Sequence, residues 1–343
     1  MRPSVVGTFE THSNAVDDLW VDGSTAYLFD EGEGLIALDV SNPAAPARLG
    51  NYHSPALLRK IVRRDNLLYV TDTWNGFTIL DITDPSRPQV AGVYQAPHLS
   101  ADQLGFPNWG LDVDGANSWR MFSFDVSDPS SITALDPDGA IIAADDVPVA
   151  FDYGAARSRR YPTRRWNKYG AGYFVDIAAP TNLAVITAGN FSICAAYDAN
   201  RDVLAVTNGE GQVSGGRFSL VSPSNALLGF VPMERPSVVD ACPWGTVAVA
   251  GNAEALTGDI LHRVLLLDTT DSASISLIAS AIVPVQVPGG TEFWPNGDVL
   301  AHGRWIYLTR SQNGAAPPHE RSAGLAIYEI HPRLQGAEAA LAP

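Results

Sequence analysis

One stretch of sequence near the N-terminus is written twice, and that repeat limits the possible folds more than any other feature. Residues 34–50 read GLIALDVSNPAAPARLG, and residues 76–92 read GFTILDITDPSRPQVAG. Asp39 and Asp81, Pro43 and Pro85, Pro46 and Pro88, and Gly50 and Gly92 each stand 42 residues apart (39 to 81, 50 to 92). Upstream the register holds, with Ala26-Tyr27-Leu28 over Leu68-Tyr69-Val70. A period of ~40–50 residues, built from apolar runs of strand length, is the sequence form of a propeller blade.

Inside the unit the strands predict themselves. Ala15–Val21, Thr25–Phe29 and Leu35–Val40 are apolar runs in the first copy, and Leu57–Ile82 repeats them. Asp22-Gly23 and Asp65-Asn66 fall between such runs and predict tight hairpins. In the segment Asp-x-Ser/Thr-Asn/Asp-Pro, proline presets φ while Asp and Ser accept backbone N–H bonds. The recurring aspartates are therefore turn-formers before they are catalysts. Further copies follow at Asp125–Pro129, at Asp176–Pro180, in FSLVSPSNALLG without the aspartate, at Asp268 without the proline, and in LAIYEIHP ending at Pro332. Seven copies predict seven blades. The orphan run Ser4–Val6, followed by Gly7, is the natural fourth strand of the last one, because a propeller must leave few edges open.

These motifs resemble the LVIVD repeat of bacterial and archaeal β-propeller proteins. The match is close in the first two copies, partial in the third and fourth, and a matter of pattern in the rest. The resemblance implies a fold and supplies no catalytic residue. Many members of that family are exported surface proteins, whereas MRPSVVG lacks the apolar core of a signal peptide. The expectation is an all-β, single-domain, seven-bladed propeller over residues 1–336, closed by the N-terminal strand. The fourth blade would carry a long insertion at about 137–169, and residues 337–343 would form a disordered tail.

Composition excludes several partners. A formal charge of −15 argues against nucleic acid and anionic membrane, which call for clustered Lys and Arg. Cys194 and Cys242 are too few for a disulfide framework. No apolar run approaches a membrane span, and a cytoplasmic location is expected. Phosphate-cradling, HExxH and GxSxG motifs are absent from the sequence, so no organic cofactor is expected.

Four constellations remain. GFPNWGLDVDG (105–115) and FWPNGDVLAHG (293–303) align with Pro107 over Pro295 and Asn108 over Asn296, each ahead of an innermost strand. Phe106, Asn108, Trp109, Phe293, Trp294 and Asn296 would line a small-molecule site at the central channel, apolar walls with a few placed amides. The opposing reading makes them a turn and an aromatic plug. ARSRRYPTRRWNKYG holds six of the 22 basic residues; Arg164 and Arg165 would engage a carboxylate or phosphate, or neutralise acidic loops such as Asp30–Glu33. Lys168 and Tyr169 lie nearest the next strand and are candidate acid–base groups. His12, His53 and His98 precede inner strands, and Glu292 opens the last blade, but their uneven spacing favours rim histidines over a metal site. Asp18, Lys60 and Asp298 share a register, and Asp240 occupies a similar place in its blade, in a ring of charges suited either to proton transfer or to stitching blades together.

Two functions compete. One is an intracellular enzyme of cyclase, lyase or isomerase type, acting by side chains alone on a largely apolar metabolite, anionic if the arginines engage it. Its catalytic set would come from Lys168, Tyr169, Asp240, Glu292, His12 and His53. The other is a non-catalytic scaffold for protein partners.

Overall fold

Alternation of Val, Leu, Ile and aromatic residues, broken by Gly, Asp and Pro, becomes strand and turn along the whole described chain. The computed structural model describes residues 4–13, 16–30, 32–54, 58–72, 76–95, 118–121, 124–134, 140–144, 148–149, 160–165, 172–176, 184–189, 194–198, 201, 203–208, 217–222, 226–232, 237–244, 247–256, 259–283, 299–310 and 323–329. Among these residues every regular element is a β-strand, and no helix is long and apolar enough to cross a membrane.

Strand β1 (Ser4–Thr11) comes first but belongs to the last sheet. The first sheet is β2 (Val16–Asp22), β3 (Thr25–Asp30), β4 (Gly34–Asp39) and β5 (Ala47–Tyr52), paired in chain order. The second repeats it with β6 (Leu58–Arg64), β7 (Leu67–Asp72), β8 (Gly76–Asp81) and β9 (Gln89–Gln95). Its hairpin turns at Asp65, which takes φ 54°, as Gly23 takes φ 56° in the first. Asp and Gly at those positions are what a tight turn with positive φ selects.

The third group is two short ladders, β10 (Ser118–Met121) with β13 (Ala140–Ala144) and β11 (Phe124–Asp125) with β12 (Thr133–Ala134). The fourth sheet is β14 (Pro148–Val149), β15 (Arg160–Arg165), β16 (Gly172–Asp176) and β17 (Ala184–Gly189). Thirteen of the 33 residues in 137–169, the stretch expected as an insertion, are paired as β13, β14 and β15. Pro162 sits opposite Phe174 of β16, while β14 pairs only with Arg164 and Arg165. A proline, which has no N–H to give, is tolerated where the second ladder does not reach.

The fifth sheet is β18 (Cys194–Asp198), β19 (Val203–Asn208), β20 (Arg217–Val221) and β21 (Leu227–Pro232). The sixth is β22 (Ser237–Trp244), β23 (Val247–Leu256), β24 (Asp259–Asp268) and β25 (Ser276–Val283). The last is β26 (Val299–His302), β27 (Trp305–Arg310) and β28 (Ala323–Glu329), with β1 as its fourth strand. The N-terminal strand therefore takes the place expected of it, but it is longer. It does not stop at Gly7; it runs to Thr11 and pairs Ser4 with Glu329 and Thr11 with Ala323.

Packing explains the continuous apolar runs. In β3 and β4, Leu28, Ile36 and Leu38 point to the last sheet and meet Tyr307, Leu325 and Ile327. Their neighbours Tyr27, Phe29, Leu35 and Ala37 point the other way, to Ile61, Leu68, Val70 and Leu80 of the second sheet. In β24 the same division sends Leu265 and Leu267 to Phe218 and Leu220 of the fifth sheet, and Val264 and Leu266 to Ile306 and Tyr328 of the last. A strand buried on both faces needs apolar residues at every position, not at alternate ones. Each such side chain contributes about 1.5–3 kcal/mol of burial. Antiparallel four-stranded sheets stacked face to face in chain order are an arrangement of the β-propeller type.

The turns between third and fourth strands behave as their residues require. Asp39 accepts the N–H of Ser41 at 2.8 Å, Asp81 that of Thr83 at 2.8 Å, Asp125 that of Ser127 at 2.9 Å and Asp268 that of Thr270 at 2.9 Å. Three residues on, Asp84, Asp128 and Asp271 repeat the bond to Ser86, Ser130 and Ala273. The Asp268 turn keeps both bonds although Ser272 stands where the others have proline. The carboxylates, rather than the ring, hold this turn.

Candidate functional site

Antiparallel pairing decides which residues gather at one end of the first sheet. Val16 opposes Asp30, Asp30 opposes Gly34, and Leu35 opposes Tyr52. The segment after β1, the β3–β4 turn and the segment after β5 therefore meet there. In the last sheet Thr11 opposes Ala323, Gly324 opposes Arg310 and Leu308 opposes Val299, so the strand ends flanking 284–298 and 311–322 lie at that same end. The strand end before 96–117 follows suit in the second sheet, where Gln95 opposes Gly76.

Asp30 organises the described part of this end. It is 3% exposed, and its Oδ1 accepts the N–H groups of Gly32 at 2.9 Å and Glu33 at 2.8 Å. Its Oδ2 accepts the hydroxyl of Ser13, and Ser13 Oγ lies 3.4 Å from Thr11 Oγ1. Glu33 reaches across: Oε1 accepts the His12 N–H at 3.4 Å, and Oε2 meets Arg48 Nη1 at 2.5 Å. The hydrogen bond from Arg48, above all, holds the Glu33 carboxyl below its ordinary range, and the nearby His12 adds to it. Arg48 also lies 5.7 Å from the ring centroid of Phe9 on β1. Gly34, at φ 81°, packs its bare Cα against Tyr52 O and His53 Cα. The exposed His12 and His53 thus flank one turn.

A buried aspartate on an inner strand forms a second feature. Asp18 is 3% exposed and accepts the N–H of Ile61 from the second sheet at 2.5 Å. Both residues stand beside a register shift, between Val16 and Asp18 in β2 and between Leu58 and Ile61 in β6. Asp240 holds the matching position in β22, opposite Gly251 and beside a shift from Val238. At the opposite end of these sheets Arg63 of β6 pairs with Asp22 of β2.

Of the candidates read from sequence, His12 and His53 lie at the same end of the first sheet, beside the turn from Asp30 to Gly34. Arg164 and Arg165 lie on β15 opposite Val149 and Pro148, and Asp240 lies on β22. Lys168, Tyr169, Glu292, Phe106, Asn108, Trp109, Phe293, Trp294 and Asn296 lie outside the described residues. Sequence reading passed over Ser13, Asp30 and Glu33, taking Asp30–Glu33 as counter-charges to the arginine cluster. The signal was there: an aspartate closing a strand two residues before a glycine is an Asx-turn pattern. Among the described residues no group of three His, Cys, Asp or Glu is placed to hold a metal ion. The arrangement works by hydrogen bonds and charge, with the Ser13 hydroxyl committed to a turn-forming carboxylate.

Comparison with solved structures extends over nearly the whole chain. A computationally designed protein, Ika8, superposes with a TM-score of 0.54 at 9% identity, covering 95% of this chain and 99% of that one. Sqt1 of Saccharomyces cerevisiae superposes with a TM-score of 0.56 at 8% identity, covering 96% and 100%. Likeness at such identity concerns the fold alone. No curated protein matches the chain. Residues 14–54 and 59–96, the first two sheets with their flanking connections, match the LVIVD repeat.

Proposed function

We propose that the chain is a seven-bladed propeller closed by β1, and that it binds a small, largely apolar molecule at the end where its long connections gather. The observation that carries this reading is the shared end of the strands. The termini flanking 96–117, 284–298 and 311–322 stand at the end that holds His12, Glu33 and His53. Phe106, Asn108, Trp109, Phe293, Trp294 and Asn296 belong to two of those connections, and aromatic walls with a few amides suit such a ligand. Lys168 and Tyr169 join β15 to β16, and the chemistry proposed is proton transfer by side chains, of cyclase, lyase or isomerase type, with no organic cofactor. The test is native mass spectrometry of the purified chain against a metabolite extract. A bound molecule retained by wild type and lost in Trp294→Ala, with thermal melting unchanged, supports the reading. Equal retention by both overturns it.

A scaffold function is favoured by one observation. Leu227 and Phe230 on β21, and Leu277 and Ile278 on β25, are exposed apolar residues on the fourth strands of consecutive sheets. Protein partners use such surface. Loss of a partner in Leu277→Ser, with ligand retention intact, separates this reading from the first.

A further inference from the structure

We propose that β1 is a strap that opens as a unit, and that the Glu33–Arg48 pair is the clasp that keeps it shut. In the first and second sheets a turn binds the fourth strand to the third, as from Asp39 to Ala47 and from Asp81 to Gln89. Strand β1 has no such tether. Its ladder partner Glu329 stands at the far end of the sequence from Ser4. A strand fixed to its sheet by hydrogen bonds alone opens at a lower free energy than one whose turn also holds it.

The first sheet supplies what the missing turn does not. Gly7 rests against the Pro43 carbonyl, Phe9 lies beneath Arg48, His12 N–H reaches Glu33, and Ser13 reaches Asp30. Glu33 stands at the centre of these contacts, because it holds Arg48 over Phe9 and receives His12. Release of β1 would bare the edge of β28, which is buried from Ala323 to Tyr328. It would also withdraw His12 and Ser13 from Glu33 and Asp30. Closure of the last sheet and the shape of the candidate end are then one equilibrium.

Hydrogen exchange of the full chain, read by mass spectrometry, tests this in wild type, Glu33→Gln, Arg48→Met and the double variant. Peptides covering 4–11 and 323–329 should exchange about two- to fivefold faster in either single variant, the range open to a partly exposed ion pair. The double variant should go no faster than the quicker single one, and peptides covering β3 and β7 should not change. High salt should reproduce the effect in wild type, since it screens the pair; this measurement stands even if a variant fails to fold. An equal rise across all sheets, unchanged exchange at 4–11 and 323–329, or a double variant equal to the product of the singles would each overturn the proposal.

Discussion

Gly7, Gly50, Gly92 and Gly229 occupy one position in four sheets. Each follows a bulge in the fourth strand, with Val6, Leu49, Ala91 and Leu228 as the extra residues. Each lays its bare Cα against a carbonyl in a neighbouring sheet's turn: Pro43, Ser86, Pro129 and Ser272 respectively. A methyl group at any of them would strike backbone, which cannot move aside as a side chain can. Gly50→Ala or Gly92→Ala should therefore lower stability to urea by about 1–3 kcal/mol, the range for overpacking, and an unchanged midpoint would disprove the contact. Ala279 fills the same place in β25, after the extra residue Ile278, and tolerates its methyl. The last sheet, against which Ala279 packs, has no third-to-fourth turn to meet it. The turn aspartates carry a pH signature of their own. Asp39 is held below the ordinary carboxylate range first by the Ser41 hydroxyl, and Asp81, Asp125 and Asp268 first by the N–H groups of Thr83, Ser127 and Thr270. A carboxyl lowered by folding stabilises above its unfolded value, and that stability is lost as pH falls through the folded one. Melting temperature should thus be level from pH 7 to about 5 and drop below about 4. Replacing these four residues with Asn should flatten the drop, and an unaltered acid limb would assign it elsewhere.

At the scale of elements, strands and turns were legible wherever the repeat is regular, because apolar runs of strand length and Asp-Gly or Asp-Asn turns are local signals. What escaped was the length of β1. The run was followed only as far as Val6, but Gly7 continues the strand, and its lack of a side chain serves a contact with Pro43, 36 residues on (7 to 43), which no local pattern reveals. Strands β13, β14 and β15, within 137–169, were not read from the sequence for a related reason: they pair with partners on both sides of a broken period. The site was legible in part. His12 and His53 were placed at one end by counting to the inner strands, while Ser13, Asp30 and Glu33 owe their importance to partners 17 and 21 residues away. Inner-strand charges were read as proton-transfer groups or stitches, and Asp18 is a stitch. Asp18→Ala should leave the buried Ile61 N–H unpaired and cost about 1–3 kcal/mol, measured by urea unfolding. A change below a few tenths would mean that water replaces the carboxylate without loss. Removing residues 1–7 should reduce the cooperativity of melting by unpairing part of the β28 edge. Melting identical to the full chain would rule out β1 as a structural strand of the last sheet.

For the whole molecule, the last sheet differs from the others in a way that can be reversed. Asp39 opposes Ala47, Asp81 opposes Gln89 and Asp268 opposes Ser276, each pair flanking a seven-residue turn such as ITDPSRP at 82–88. In the last sheet Glu329 opposes Ser4 in the same register, with no chain between them. Joining Glu329 to Ser4 through ITDPSRP, and opening the chain at the exposed Gly23–Ser24 hairpin, should give a permuted protein that folds. Its new turn would stand where the sixth sheet packs, and Ala279 would then face a carbonyl as Gly50 and Gly92 do. In the parent, Ala279→Gly should destabilise by about 0.5–1 kcal/mol, the cost of glycine's freedom in a strand. In the permuted chain the same change should stabilise, because it removes a methyl that the turn would strike. The sign of one substitution is thus set by a turn more than forty residues away in sequence, and a double-mutant cycle in urea measures the coupling. Equal effects in both backgrounds would mean that Ala279 and the connection from Glu329 to Ser4 do not meet, and that the sheets do not close on one another in this order.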